Sequence, residues 1–148
     1  MPTATSRMET SRLVLRNNLA ELDRLASWIE EWTGRIVPPD TSFALQLCLE
    51  EAVANIIMHG AVEADQSEIA VELERDGETL RAQVEDCGRR FDPTRFRRPT
   101  AATSLDQAKV GDLGIHLMRS FADGMHYERR GHRNRSTFWF SESQATAA

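Results

Sequence analysis

Cysteine, long apolar runs and net positive charge are all scarce in this chain, and each shortage excludes something. Two cysteines in 148 residues, Cys48 and Cys87, are too few for a disulfide framework and fit a reducing compartment. No uninterrupted apolar run approaches the ~20 residues of a membrane span. The opening stretch MPTATSRMETSR lacks the apolar core of a secretory signal. With 18 basic against 23 acidic residues the net charge is −5, so neither direct nucleic-acid binding nor an anionic membrane surface is expected. There is no internal repeat, no His/Cys cluster at zinc spacing, and neither a P-loop nor a G-x-G-x-x-G fingerprint. What is present, 41% hydrophobic and 28% charged residues, suits one globular domain with one core. A cytoplasmic protein is expected, with short tails at 1–10 and 142–148 around a single domain at 11–141.

Periodicity orders the elements. RLVLRN (12–17) alternates and reads as a strand. LAELDRLASWIEEW follows at helical spacing and is closed by Gly34 and Pro38-Pro39. Asp40 is the expected N-cap of a second helix that Gly60 ends. EIAVELERDGETLRAQVED is a hairpin around Asp76-Gly77, a type I′ dipeptide. Residues 87–112 lose periodicity and carry Gly88, two prolines and five arginines, a loop long enough to be a functional lid. A helix from Leu113 and a second hairpin, MHYERRGHRNRSTFWF, complete the chain. The order β, α, α, β, β, loop, α, β, β predicts a two-layer α/β sandwich, its helices on one face of a mostly antiparallel mixed sheet.

The second helix carries a polar line. At about 100° per residue, Leu45, Leu49, Ala52, Val53 and Ile56 share a sheet-facing arc. Glu51, Asn55 and His59 form one stripe, while Glu50 and Gln46 lie on another side. Glu51 and Asn55 are close enough to touch one ligand. An amide oxygen beside a carboxylate suits a hard cation such as Mg²⁺ that keeps waters and phosphates in its shell.

Two glycine-bearing turns add to this. In VEDCGRRFDP, Asp86 ends a strand that Gly88 breaks, placing a carboxylate where it can accept from an exocyclic amino group such as that of adenine. In VGDLGIHLMRSF, Gly111 and Gly114 precede an amphipathic helix whose free N–H groups can hold phosphate oxygens.

The sequence EEAVANIIMHG, then GRRFDP, a basic loop, LGIHLMRSFADGMHYERR and NRSTFWF, resembles the N, G1 and G2 boxes and ATP lid of the GHKL (Bergerat) nucleotide-binding fold. It is most similar to anti-sigma-factor serine kinases of the RsbW type, over roughly residues 10–141. The resemblance implies ATP and Mg²⁺ as ligands, with Asn55 on the metal and Glu51 as general base on the accepting hydroxyl. It implies Asp86 on the adenine amino group, Gly88 giving the ring room, and Thr137 at the adenine end. Gly111, Leu113, Gly114 and Ile115 would hold the phosphates through their backbone, and the lid arginines Arg95, Arg97 and Arg98 would reach the polyphosphate from a lid at about 92–112.

The same resemblance implies a homodimer that sequesters a sigma factor and phosphorylates a STAS-domain anti-anti-sigma factor. An ATP-binding adaptor without kinase activity is the rival from another class. Two departures bear on it: Arg90 stands where a second glycine is common and should narrow the adenine side, and Asp112 puts a negative charge near the phosphates. A histidine-kinase catalytic half is less favoured, because no segment offers a phosphoacceptor histidine and dimerisation hairpin. His59 is expected to pack or cap at the helix end.

Overall fold

The computed structural model of the chain describes residues 8–34, 37–60, 68–95 and 121–142. Within them lie β1 (Glu9–Arg16), a 3₁₀ turn at Leu19–Glu21, α1 (Leu22–Thr33), α2 (Pro39–Asn55), a π-helical turn at Ile56–Gly60, β2 (Glu68–Asp76), β3 (Thr79–Asp86), a 3₁₀ turn at Pro93–Arg95, β4 (Gly124–Arg130) and β5 (Arg133–Ser141). The sheet order is β1-β2-β3-β5-β4, and all four described pairings are antiparallel. The expected two-layer α/β sandwich is present. Of the helix expected from Leu113, only Phe121 lies within the described residues.

Alternation decides the layers. Leu15, Ile69, Val71, Leu73, Leu80, Ala82, Val84, Phe138 and Phe140 point to one face and meet Leu25, Ile29, Leu45, Cys48, Leu49, Ala52 and Val53 from the helices. The other face carries polar rows such as Arg12, Glu72, Gln83, Thr137 and His126, which the register places side by side. A period of two thus gives each strand a dry and a wet side. By length and composition Pro39–His59 is long and apolar enough to cross a membrane, which counting uninterrupted apolar runs did not anticipate. Its apolar stripe is instead consumed by the sheet.

Polar contacts fix the pieces relative to one another. The Trp28 indole N–H donates to Ser11 Oγ at 3.1 Å, tying α1 to β1. Ser42 Oγ donates to Thr33 Oγ1 at 2.9 Å, tying the start of α2 to the end of α1. Arg75 grips Glu142 bidentately, Nε to Oε1 at 2.9 Å and Nη2 to Oε2 at 2.8 Å. Glu142 is therefore buried, although it was assigned to the C-terminal tail. At the other end β1 opens at Glu9, inside the expected N-terminal tail, where Glu9 pairs with Arg75.

Three local expectations differ from the structure. Pro38, not Asp40, is the N-cap of α2, with Pro39 and Asp40 already in the first turn and no side-chain cap; a proline at N1 forfeits only an N–H that had no helical partner. The Asp76–Thr79 hairpin has Gly77 and Glu78 at its centre, and only Gly77 has positive φ, at 61°. Type I′ needs positive φ at both positions, so this is a II′-like turn. The Arg130–Arg133 hairpin repeats the arrangement with Gly131 at 59°. Finally, α2 does not run as an α-helix to Gly60. The Ile56 N–H is shared between Ala52 O and Val53 O, and the backbone widens into the π turn.

Two phenylalanines should separate packing from mere apolarity. Phe138 is 0% exposed at the sheet centre and Phe43 is 61% exposed on α2. Phe138→Ala should cost about 3–5 kcal/mol in denaturant unfolding, and Phe43→Ala less than about 0.5 kcal/mol. Similar losses from both would contradict this placement of the core.

Candidate functional site

Where α2 runs past the ends of β3 and β5, its polar stripe meets the sheet. A cavity there is lined by Ala52, Asn55 and Ile56 from the helix, Asp86 from β3, Arg89, Phe91 and Pro93 from the following turn, and Asn134 and Ser136 from β5. Its volume is about 20 Å³, room for about one water.

Asn55 is 4% exposed, and its Nδ2 has no hydrogen-bond partner. A buried unpaired amide costs on the order of 1–3 kcal/mol, a cost that a ligand in this cavity can remove. Glu51, one turn earlier, is half-buried at the helix edge, outside the cavity lining. Its charge adds to the effect of burial on Cys48, whose thiol is pushed up to about 12. Cys48 is therefore an inert core thiol, and Cys87 is exposed.

His59 leaves the Glu51–Asn55 line. In a π turn bonding runs i→i+5, so four residues no longer complete a turn. His59 is exposed, and its ring stacks on Phe91 with centroids 6.5 Å apart and planes 14° apart. That agrees with its expected packing role at the helix end.

Asp86, 6% exposed, sits at the last position of β3. Its Oδ2 accepts from the Gly88 N–H at 2.9 Å and from Asn134 Nδ2 at 3.3 Å; no described residue donates to Oδ1. Burial raises its pKa, opposed by those two hydrogen bonds and by the charge of Arg129. Gly88 is not in the left-handed region, so its value here is the absence of a side chain rather than an unusual φ.

Sheet parity corrects one assignment. Asp86 pairs with Asn134 and Val84 with Ser136 on the helix side, while Thr137 pairs with Gln83 on the opposite face. Thr137 Oγ1 accepts from Gln83 Nε2 at 3.5 Å, away from the cavity. Ser136 is the β5 hydroxyl that lines it. A second correction concerns the arginines: Arg89 lines the cavity, whereas Arg90 is exposed and does not narrow it. Arg95 lies in the 3₁₀ turn after the site, its side chain outside the description. Arg97, Arg98, Gly111, Asp112, Leu113, Gly114 and Ile115 lie outside the described residues.

Asn134 is the residue that sequence reasoning missed. Its only signal was its position two residues before a serine at the start of a strand, which is too common to select it.

Among the described residues no group of three or more His, Cys, Asp or Glu side chains could hold a metal. A closed protein cage is thus absent there. The donors fit a cation that brings phosphates and waters with it, with the Asn55 amide able to turn over and present its oxygen.

The chain is similar to known proteins in both sequence and fold. The chain is 33% identical over 101 residues to the serine/threonine-protein kinase BtrW of Bordetella bronchiseptica, covering 68% of each chain. Its fold is similar to that of the RsbU and RsbW domains of Rv1364c from Mycobacterium tuberculosis, with TM-score 0.66 and 15% identity over 90% of this chain and 32% of that one. It is also similar to the histidine kinase domain of a blue-light activated histidine kinase from Erythrobacter litoralis, with TM-score 0.54 and 22% identity over 85% of this chain and 61% of that one. The histidine kinase-like ATPase domain family matches residues 15–139, and the chain, with its antiparallel GHKL sheet, belongs to that family.

Proposed function

We propose that the chain is an ATP-dependent protein serine/threonine kinase whose domain, expected at residues 11–141, extends to Glu9 and Glu142. In this reading it acts in the cytoplasm, as a homodimer, in a partner-switching module that holds a sigma factor and phosphorylates a STAS-domain anti-anti-sigma factor. One observation carries the reading: an unpaired buried amide, Asn55, and a carboxylate with an unused oxygen, Asp86, reach one cavity from separate layers. The kinase name of the 33% identical relative supports the choice of reaction.

In this reading Asp86 Oδ1 accepts from the adenine amino group, Gly88 leaves space for the ring, and Ser136 replaces Thr137 as the hydroxyl at the adenine end. Asn55 holds Mg²⁺, which when bound neutralises charge on the phosphates. Glu51, at the outer edge of the same stripe, takes the proton of the acceptor hydroxyl as its oxygen bonds to the γ-phosphorus and the bond to ADP breaks. Gly111, Leu113, Gly114 and Ile115 hold the phosphates, and Arg95, Arg97 and Arg98 close over them. The rival, an ATP-binding adaptor without kinase activity, is favoured by two sequence features, Asp112 and Arg90, the latter exposed and not among the residues lining the cavity.

Labelled Mg-ATP and a candidate STAS protein separate the two. The unmodified chain should label the partner. Asn55→Ala should lose Mg-dependent nucleotide binding, and Glu51→Ala should bind ATP normally while transfer falls by roughly 10²–10⁴. A chain that binds both ATP and its cognate partner yet never labels it is the adaptor.

The adenine end has its own test. Asp86→Asn should weaken ATP binding by ~10–100-fold, the range set by a hydrogen bond to a charged group. Ser136→Ala should weaken it several-fold, about one neutral hydrogen bond, with Thr137→Ala unchanged. The reverse order for the last two would return the role to Thr137.

A further inference from the structure

Asn134 opens the described part of β5 on the helix side, directly opposite Asp86, and is 3% exposed. Both ends of its amide are engaged. Nδ2 faces three acceptors: Arg89 O at 2.8 Å, Gly88 O at 3.3 Å and Asp86 Oδ2 at 3.3 Å. Oδ1 accepts from the Tyr127 hydroxyl and from Arg129 Nη1, the latter at 2.9 Å. Arg129 Nη1 also donates to Gly88 O at 3.1 Å. Turning the amide over would set its oxygen against three acceptors and its NH₂ against the Arg129 guanidinium, which can only donate, so its orientation is determined by its surroundings.

The consequence falls on Asp86. A carboxylate at a strand end can rotate about its Cβ–Cγ bond, because that sp³–sp² torsion is broad. Here Oδ2 is held from two sides, by the Gly88 N–H and by Asn134 Nδ2. The same amide holds the carbonyls of Gly88 and Arg89, fixing the turn that forms the cavity wall. β4 supports the amide from behind through Tyr127 and Arg129, neither of which lines the cavity.

We propose that Asn134, braced by Tyr127 and Arg129, is a positioning residue that fixes the rotation of the Asp86 carboxylate and so sets the chain's selectivity for a 6-amino purine. The proposal rests on the reading of Asp86 as the adenine acceptor. Asn134 and Arg129 also oppose the effect of burial, which is the larger influence and leaves the Asp86 pKa raised. A site built around a hydrogen bond rejects an analogue that lacks the partner group, because its own polar atom is left unpaired.

The test compares the affinity of the full chain for ATP and for ITP, which carries a 6-oxo group in place of the amino group. The unmodified chain should prefer ATP. Asn134→Ala should lose about 10-fold for ATP, the scale of one charged hydrogen bond, and little for ITP, so the preference shrinks. Tyr127→Phe, which removes one brace and no bulk, should shrink it by a smaller factor; it decides the matter if Asn134→Ala does not fold. In an Asp86→Asn background, Asn134→Ala should change the preference no further, since coupled residues are not additive.

Equal losses for ATP and ITP, or an undiminished effect of Asn134→Ala in the Asp86→Asn background, would reduce Asn134 to a structural residue and overturn the proposal. An Asp86→Asn protein that keeps its preference for ATP would remove the adenine reading itself, and this proposal with it. Loss of preference in Asp86→Asn but not in Asn134→Ala or Tyr127→Phe would remove the positioning role alone.

Discussion

The packing of α2 across the dry face of the sheet is the contact on which the rest depends. Leu45, Leu49 and Val53 are sealed against Leu80, Ala82, Phe138 and Phe140, and this sets the helix's rotation about its own axis. With the rotation set, the edge of the helix that carries Glu51 and Asn55 must fall beside the ends of β3 and β5. Burial of apolar area drives that contact, and Asn55 is carried to the cavity as a result. The unpaired Asn55 amide is then a local cost imposed by a global gain, common where a structure is built to bind.

The site divides its work between layers. The helix contributes the Asn55 amide, with the Glu51 carboxylate one turn earlier, and the sheet contributes the Asp86 carboxylate and the Ser136 hydroxyl. Between them lies a wall made from the residues after β3. That wall is held from below by Asn134 and from above by the Phe91–His59 contact. Opening the cavity therefore means disturbing a stacked pair, a short turn and the packing of Phe91 against the core. The π turn contributes directly, since widening the helix after Asn55 is what sends His59 over to Phe91.

The strands, the first hairpin and the buried side of α2 were legible because period 2 and period 3.6 are imposed by backbone geometry on any chain that buries one face. Asp86 was legible for the same reason: the glycine two residues on marks the strand's end. Other features depended on competition among near-equal local choices. Pro38 displaced Asp40 as the cap because the Pro-Pro pair could begin the helix two positions earlier. Gly77 sits first rather than second in its turn, so its neighbour Glu78 is spared a positive φ. The shift from α to π after Asn55 leaves no clear mark in IIMHG.

What the chain determined by itself was the order of its elements and a polar line along one edge of α2, both of which follow from local periodicity; the family was carried by the resemblance of EEAVANIIMHG, GRRFDP and NRSTFWF. What only the tertiary structure decided was which of two adjacent hydroxyls, Ser136 or Thr137, faces the cavity, which of two adjacent arginines borders it, and that Asn134 lies behind Asp86. Neighbouring residues on a strand point to opposite faces, so a one-residue error in register exchanges every role. Register here is set by pairing across the sheet, between residues as far apart as Asp86 and Asn134. No stretch of sequence read alone contains that information.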